Sequence, residues 1–353
     1  MGSSRQKRAH LFVLLGYAVV AIVFTWPLTA HLGTALTGPP TGDTGVYVWN
    51  QWVFQNEVIE NRSLPYFTST IFSLSGRANL SLHNYTAFQD LVAMPLIRWL
   101  GVVPAFNIVY LLMTVLTAYA TFLLVRHVTG TVAESWLAGL LFAWSPVLVT
   151  RGTGHFSLVA AAPLAVFLLL LLRAAERPRP ADPLALGATV WWAASSDAYY
   201  AVYCVMLAAL FLAARVTIVQ SRPHKAAARA IPRTLDVLIG CIAGLALFIF
   251  LSGGWQFTFL GRAASMKTAY TPMLLLTLLV CLRLAWSYRS IMVRFERGTA
   301  IRVMRLACAA AVFAAIFLSP VLYALGLRIA RKYHKQLPPE LLAKAKGLQE
   351  VMA

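Results

Sequence analysis

The sequence predicts an all-α, polytopic membrane protein with about nine transmembrane helices and a long first outer loop that carries interfacial helices. Three observations lead there. Hydrophobic residues make up 59% of the 353 positions and charged residues only 12%, whereas a soluble domain is nearer half apolar and a quarter charged. Mean hydropathy is +0.71. Apolar runs of about 17 to 21 residues recur, close to the roughly 20 helical residues that cross a hydrocarbon core.

Arg5, Lys7 and Arg8 precede the first apolar run, Leu11 to about Ala30. Small residues near Thr34 and Ala35 would suit a cleaved signal peptide, but the run is long for one and contains Trp26 and Pro27, so an uncleaved first span is expected. Residues 31–102 then form the long polar loop, with Asp43, Glu57, Glu60, His83 and Asp90. Further spans are expected near 105–125, 135–150, 158–172, as two short pieces within 184–214, and near 235–253, 271–286 and 306–324. The membrane domain is thus residues 1–327. Residues 328–353 form a basic tail, where Pro338-Pro339-Glu340 would start a short amphipathic helix.

Two apolar regions are broken. Arg151-Gly152-Thr153-Gly154-His155 separates two runs of about 15 residues each, and Ser195-Ser196-Asp197 splits a stretch too long for one span and short for two. Broken backbone at membrane depth is tolerated where it lines a cavity.

The net charge of +18 raises the question of nucleic acid, but the basic residues cluster between apolar runs, as the positive-inside rule requires. Nucleic acid is therefore excluded as a partner, and the lipid bilayer is the expected one. With the amino terminus cytoplasmic, the connectors carrying Arg126, Arg173 to Arg179, Arg215 to Arg233 and Arg283 to Arg305 fall inside, a roughly three-to-one basic bias over the outer loops. The four cysteines lie in apolar runs without CxxC spacing, so they read as lipid-buried thiols. Asn-x-Ser/Thr strings begin at Asn61, Asn79 and Asn84 in the outer loop. No Walker loop, GxGxxG or HExxH string occurs.

Each polar candidate has two readings. Asp43, in Gly42-Asp43-Thr44-Gly45, either caps the helix predicted over 46–59 or acts as a general base at the mouth of a membrane cavity. His83 either satisfies the loop's own hydrogen bonds or contacts phosphate or sugar. Arg151 either snorkels to headgroups or, with its flanking glycines and His155, meets a phosphate through its planar fork. Asp197 caps the next helix, pairs with Arg151, accepts from sugar hydroxyls or ligates a metal, and Tyr199, Tyr200, Trp191 and Trp192 beside it offer faces for sugar or lipid. Asp236, Glu176 and Asp182 read as caps and solvated loop charges.

The strings GDTGVYVWNQW, NLSLHNYTAFQDL, FAWSPVLVTRGTGHFSL and WWAASSDAYYAVY, in this order over about residues 10–325, resemble the GT-C-type integral membrane glycosyltransferases of bacteria. The resemblance implies sugar transfer from a polyprenyl-phosphate donor to a glycan, lipid or protein acceptor on the outer face of the cytoplasmic membrane. It implies Asp43 as the base, with Arg151 and His155 at the donor phosphate. No cofactor is required, although a divalent metal could take part. The chain departs from many members in having one early acid where others have a pair, and in ending soon after the ninth span. A lipid or glycolipid flippase, using Arg151 and Asp197 as intramembrane contacts, and an inactive envelope-assembly scaffold are the competing readings.

Overall fold

The computed structural model describes residues 2–71, 77–81, 83–221, 230–253, 255–259, 262–266, 270–287, 291–295 and 297–333. The amphipathic helix expected from Pro338, and the tail beyond Tyr333, lie outside them. Among the described residues, seven helical stretches are long and apolar enough to cross a membrane, and Tyr270–Leu284 and Ser319–Ile329 are shorter apolar helices. The protein is an all-α polytopic membrane protein.

Among the described residues, thirteen α-helices follow one another: α1 (Gly2–Phe24), α2 (Thr44–Gln55), α3 (Ala87–Leu100), α4 (Val102–Thr129), α5 (Ala133–Ala143), α6 (Pro146–Arg151), α7 (Ala162–Glu176), α8 (Asp182–Ser196), α9 (Ala198–Val216), α10 (Ala230–Ser252), α11 (Tyr270–Ser287), α12 (Arg297–Phe317) and α13 (Ser319–Tyr333). Contacts divide the chain into two units, Met1–Leu212 with Ala300–Ala353, and Ala213–Thr299.

In the first unit α4 is the central pillar, packed by α1, α3, α5 and α7. Small residues on it, such as Ala105, Thr117, Ala118 and Ala120, are buried and let neighbouring backbones come close, as helix packing in lipid requires. Gly139 of α5 is one such point: a Cβ there would stand 2.4 Å from the Ala118 carbonyl oxygen. The pillar ends at Gly130, whose left-handed backbone (φ 76°) returns its N–H to the Arg126 carbonyl at 2.9 Å. The run expected as one span over 135–150 breaks at Trp144-Ser145 before Pro146, because the residue before proline is driven to extended backbone (Ser145 ψ 149°). The run expected over 306–324 likewise breaks at Leu318, ahead of Pro320.

The long polar loop over residues 31–102, called the outer loop for the side expected of it, is a built structure. A two-residue ladder pairs Phe67–Thr68 with Ala78–Asn79. Fully buried Glu57 accepts from Ser63 Oγ at 2.8 Å and from Arg77 at 2.6 Å. Desolvation alone would raise its pKa, but hydrogen bonds from Ser63, Thr68 and Asn61 together with the Arg77 charge outweigh it and hold the carboxyl below its usual range. The loop also grips the end of the unit: Asn79 Nδ2 donates to the Ala324 carbonyl of α13 at 2.7 Å, and Arg328 reaches the Asn79 carbonyl at 3.3 Å. The start of the basic tail therefore lies beside the outer loop.

In the second unit, α10 and α11 pack against each other, and Asp236, within α10 and not in a loop, keeps its solvent exposure while pairing with Arg283 at 2.6 Å. The two basic connectors contribute an antiparallel ribbon, Thr217–Ser221 with Ile291–Phe295, which puts both on one side of that pair. A hairpin, Trp255–Phe259 with Arg262–Met266, closes the other turn. Glu176 in the first unit is similarly engaged, 3.3 Å from His127, while Asp182, the first residue of α8, makes no capping bond and accepts the Arg179 N–H of the preceding connector at 2.6 Å.

Candidate functional site

The site forms where the first outer loop meets the two breaks. Asp43 sits at the entry to α2, with its carbonyl accepting the Val46 N–H at 2.9 Å. Its side chain makes no capping bond, so the carboxylate is not spent on the helix end. It points instead to the segment between α6 and α7, where His155 Nδ1 stands 3.6 Å from Asp43 Oδ2. That separation is beyond a direct hydrogen bond and within ion-pair reach. Both side chains are about half exposed (43% for His155, 50% for Asp43), so the pair opens to solvent.

Backbone packing sets this approach. Gly38 has φ 86°, and a Cβ on it would lie 1.9 Å from the Thr153 carbonyl oxygen. Only glycine lets the loop seat against this segment. On the segment's other flank, a Cβ on Gly152 would lie 2.4 Å from the Tyr110 hydroxyl of α4. The two glycines beside Arg151 thus differ: Gly152 is wedged by protein, and Gly154 is in open space. The Arg151 carbonyl accepts the His155 N–H at 2.7 Å, which closes the turn.

Tyr47, one helical turn after Asp43, is buried beneath the pair, and its hydroxyl lies 3.2 Å from Ser157 Oγ. Burial pushes its phenol above the usual range. The Ser157 hydrogen bond opposes this, and the carboxylates of Asp197 and Asp43 add to it. Both acids therefore lie within electrostatic reach of one buried tyrosine. Asp197 holds the turn between α8 and α9, its Oδ1 accepting the Tyr199 N–H at 2.8 Å, so the capping reading of Asp197 holds. Tyr200 carries that turn onto the 155–159 segment by donating to the Leu158 carbonyl.

The structure therefore pairs Asp43 with His155 above Tyr47 and Ser157, and the Tyr200 bond to Leu158 brings the turn that carries Asp197 to the same segment. It does not bring in the other three candidates equally. Arg151 is exposed at the end of α6 and, among the described residues, makes no ion pair with Asp197 or Asp43. Tyr199 is 64% exposed. His83 packs edge-on to Trp49 (centroids 6.0 Å apart), where burial lowers its pKa, and no contact joins it to Asp43. The outer-loop helix differs from expectation too. Val53 and Phe54 are buried as expected, but Tyr47, Asn50, Gln51 and Glu57 are buried with them, while Trp52 is 41% exposed. Tyr47 and Ser157 were the residues sequence reading missed. The available signal was the helical spacing from Asp43 to Tyr47 and the hydroxyl two residues beyond His155.

Among the described residues no group of three or more histidine, cysteine or acidic side chains is placed to hold a metal. The site residues offer carboxylate, imidazole and hydroxyl groups at a solvent-open mouth, which suits proton transfer at a bound hydroxyl. No curated protein and no solved structure matches the chain. Residues 13–300, well over half the chain, match the family described as a domain of unknown function, DUF6311, and the protein belongs to that family.

Proposed function

We propose that this protein is an inverting membrane glycosyltransferase. It takes a sugar from a polyprenyl-phosphate donor to an acceptor hydroxyl on the outer face of the cytoplasmic membrane, with its amino terminus inside. The observation that carries the reading is the uncapped Asp43 carboxylate, 3.6 Å from His155 and opening to solvent beside two helix breaks.

In this reaction the acceptor oxygen attacks the anomeric carbon as the bond from that carbon to the phosphate oxygen breaks, its electron pair leaving on the phosphate. The acceptor's proton passes to Asp43, a step worth roughly 10²–10⁴-fold. His155 acts as a positioning residue that keeps the carboxylate turned to the acceptor, in place of the phosphate contact expected for it. Arg151, exposed and without an acidic partner among the described residues, is free to meet the leaving phosphate at the bilayer surface. Asp197 and Tyr199 sit on the turn that Tyr200 ties to the 155–159 segment, and an acidic turn beside an exposed aromatic face suits sugar hydroxyls and a sugar ring.

The test is direct. Membranes containing the protein are given radiolabelled polyprenyl-phosphate sugars, and envelope glycans are compared by mass spectrometry with and without the protein. Transfer of label, and a glycan that disappears with the protein, is expected. Unchanged glycans and no transfer from any such donor would end the proposal.

A further inference from the structure

A second polar site lies inside the outer loop, between α2 and α3. Among the described residues, six buried atoms there lack a hydrogen-bond partner: Asn50 Oδ1, the amide oxygen and nitrogen of both Gln51 and Gln89, and Asp90 Oδ2. All four side chains are fully buried.

The register of the two helices puts these atoms in one layer. Tyr47 packs in one cluster with Ala93 and Ile97. Asn50 Nδ2 donates to the Asn84 carbonyl at 2.6 Å, and the Phe54 ring lies 6.1 Å from Tyr85. Rising numbers on α2 thus meet falling numbers on α3, so the helices run antiparallel. Gln51 follows Tyr47 by one turn on the same face, and Gln89 and Asp90 precede Ala93 by one turn on theirs. The layer is closed by Phe54 and Tyr85 at one end and by Tyr47 and Ala93 at the other.

The donor set is all oxygen apart from the amide nitrogens: three amide carbonyls and one carboxylate, with Thr86 Oγ1 beside it at 3.2 Å from Asp90 Oδ1. The Asp90 carboxyl is fully buried, and its Oδ2 has no hydrogen-bond partner among the described residues. No cationic side chain pairs with it among the described residues. A buried carboxylate needs a positive partner, and amide and carboxylate oxygens are the ligands of hard cations. The absence of imidazole and thiol from the layer disfavours zinc or copper. We infer that the layer between α2 and α3 binds a hard, oxygen-seeking cation of the Ca²⁺ or Na⁺ class, held by Asn50, Gln51, Gln89 and Asp90. The inference stands apart from the transferase reading, since none of these residues belongs to the Asp43 site.

Tb³⁺, which takes the same oxygen ligands as Ca²⁺, tests it on the full chain in detergent. Trp49 and Trp52 flank Asn50 and Gln51 and would sensitise its emission. Saturable Tb³⁺ luminescence, displaced by Ca²⁺ and weakened about tenfold or more in Asp90→Asn and in Gln89→Met, is expected for a divalent site. Glu134→Gln, at an exposed acid, should leave it unchanged. For a sodium site, Tb³⁺ fails but Na⁺ raises the melting temperature over choline in the wild type and not in Asp90→Asn. Either pattern supports the inference. Luminescence indifferent to both substitutions in folded protein, or neither response in the wild type, would overturn it.

Discussion

Gly38 of the outer loop lies against the Thr153 carbonyl so closely that a Cβ would approach it to 1.9 Å. This contact, more than any side-chain bond, docks the loop that carries Asp43 onto the segment that carries His155. Gly38→Ala meets both a positive φ and a backbone atom that cannot turn aside, so it should destabilise by more than about 1 kcal/mol. Thermal unfolding in detergent checks this. Gly45→Ala, with nothing within 4 Å of the added methyl, is the control and should leave the transition in place.

The Glu57–Arg77 pair gives the loop a pH-dependent stability. The carboxyl is held below its unfolded-state pKa, so its contribution is fully present above that unfolded value and is lost as pH falls through the folded one. Arg77→Ala leaves a buried carboxylate without its cation and should destabilise at neutral pH more than Glu57→Gln does. The gap between the two variants should narrow as the pH is taken toward that of the protonated carboxyl. Melting curves across acid pH measure it, and a gap that widened instead would reverse the assignment.

The bond from Asn79 to Ala324 puts the middle of α13 beside the outer loop, and Gly38 puts Thr153 there too. Single cysteines at Thr41, Thr153 and Gly326, in a variant without the four native cysteines, should all react with an impermeant maleimide from the same side of the membrane. A cysteine at Thr131, in the turn after α4, should react only from the opposite side. Labelling of Thr153 and Thr41 from opposite faces would contradict the fold of the site.

Removing the Tyr47 hydroxyl tests whether the floor of the site matters. Tyr47→Phe leaves the ring packed against Phe156 and deprives Ser157 of a partner at 3.2 Å, a cost of about 1 kcal/mol. A thermal shift of that order is expected. Ser157→Ala should shift stability similarly, and the double variant should cost less than the two singles added together, because they share one bond.

Much of this was legible in the residues. Apolar length gave the spans, and the polar strings at Arg151 and Asp197 marked the breaks that build the site. What could not be read was which way polar groups on helices face. The 46–59 helix looked like an interfacial one with Val46, Trp49, Val53 and Phe54 toward one side, yet beside Val53 and Phe54 it also buries Asn50, Gln51 and Glu57; Asn50 donates to the Asn84 carbonyl and Glu57 pairs with Arg77. Periodicity ranks faces by apolarity and is blind to a polar interior. His155 looked like a partner of Arg151 by adjacency, but its ring turns to Asp43, a contact set by loop docking far away in sequence. The proline breaks at Ser145 and Leu318 were visible as residues, but smoothing over apolar length hid them.

The central claim is that Asp43 takes the acceptor's proton while His155 holds it in place. The direct measurement is the initial rate of sugar transfer from a radiolabelled polyprenyl-phosphate sugar, at equal protein levels, for wild type, Asp43→Asn and His155→Gln. Asp43→Asn should fall by about 10²-fold or more, and His155→Gln by less, with an altered pH profile. An Asp43→Asn rate equal to wild type would remove the base and contradict the account.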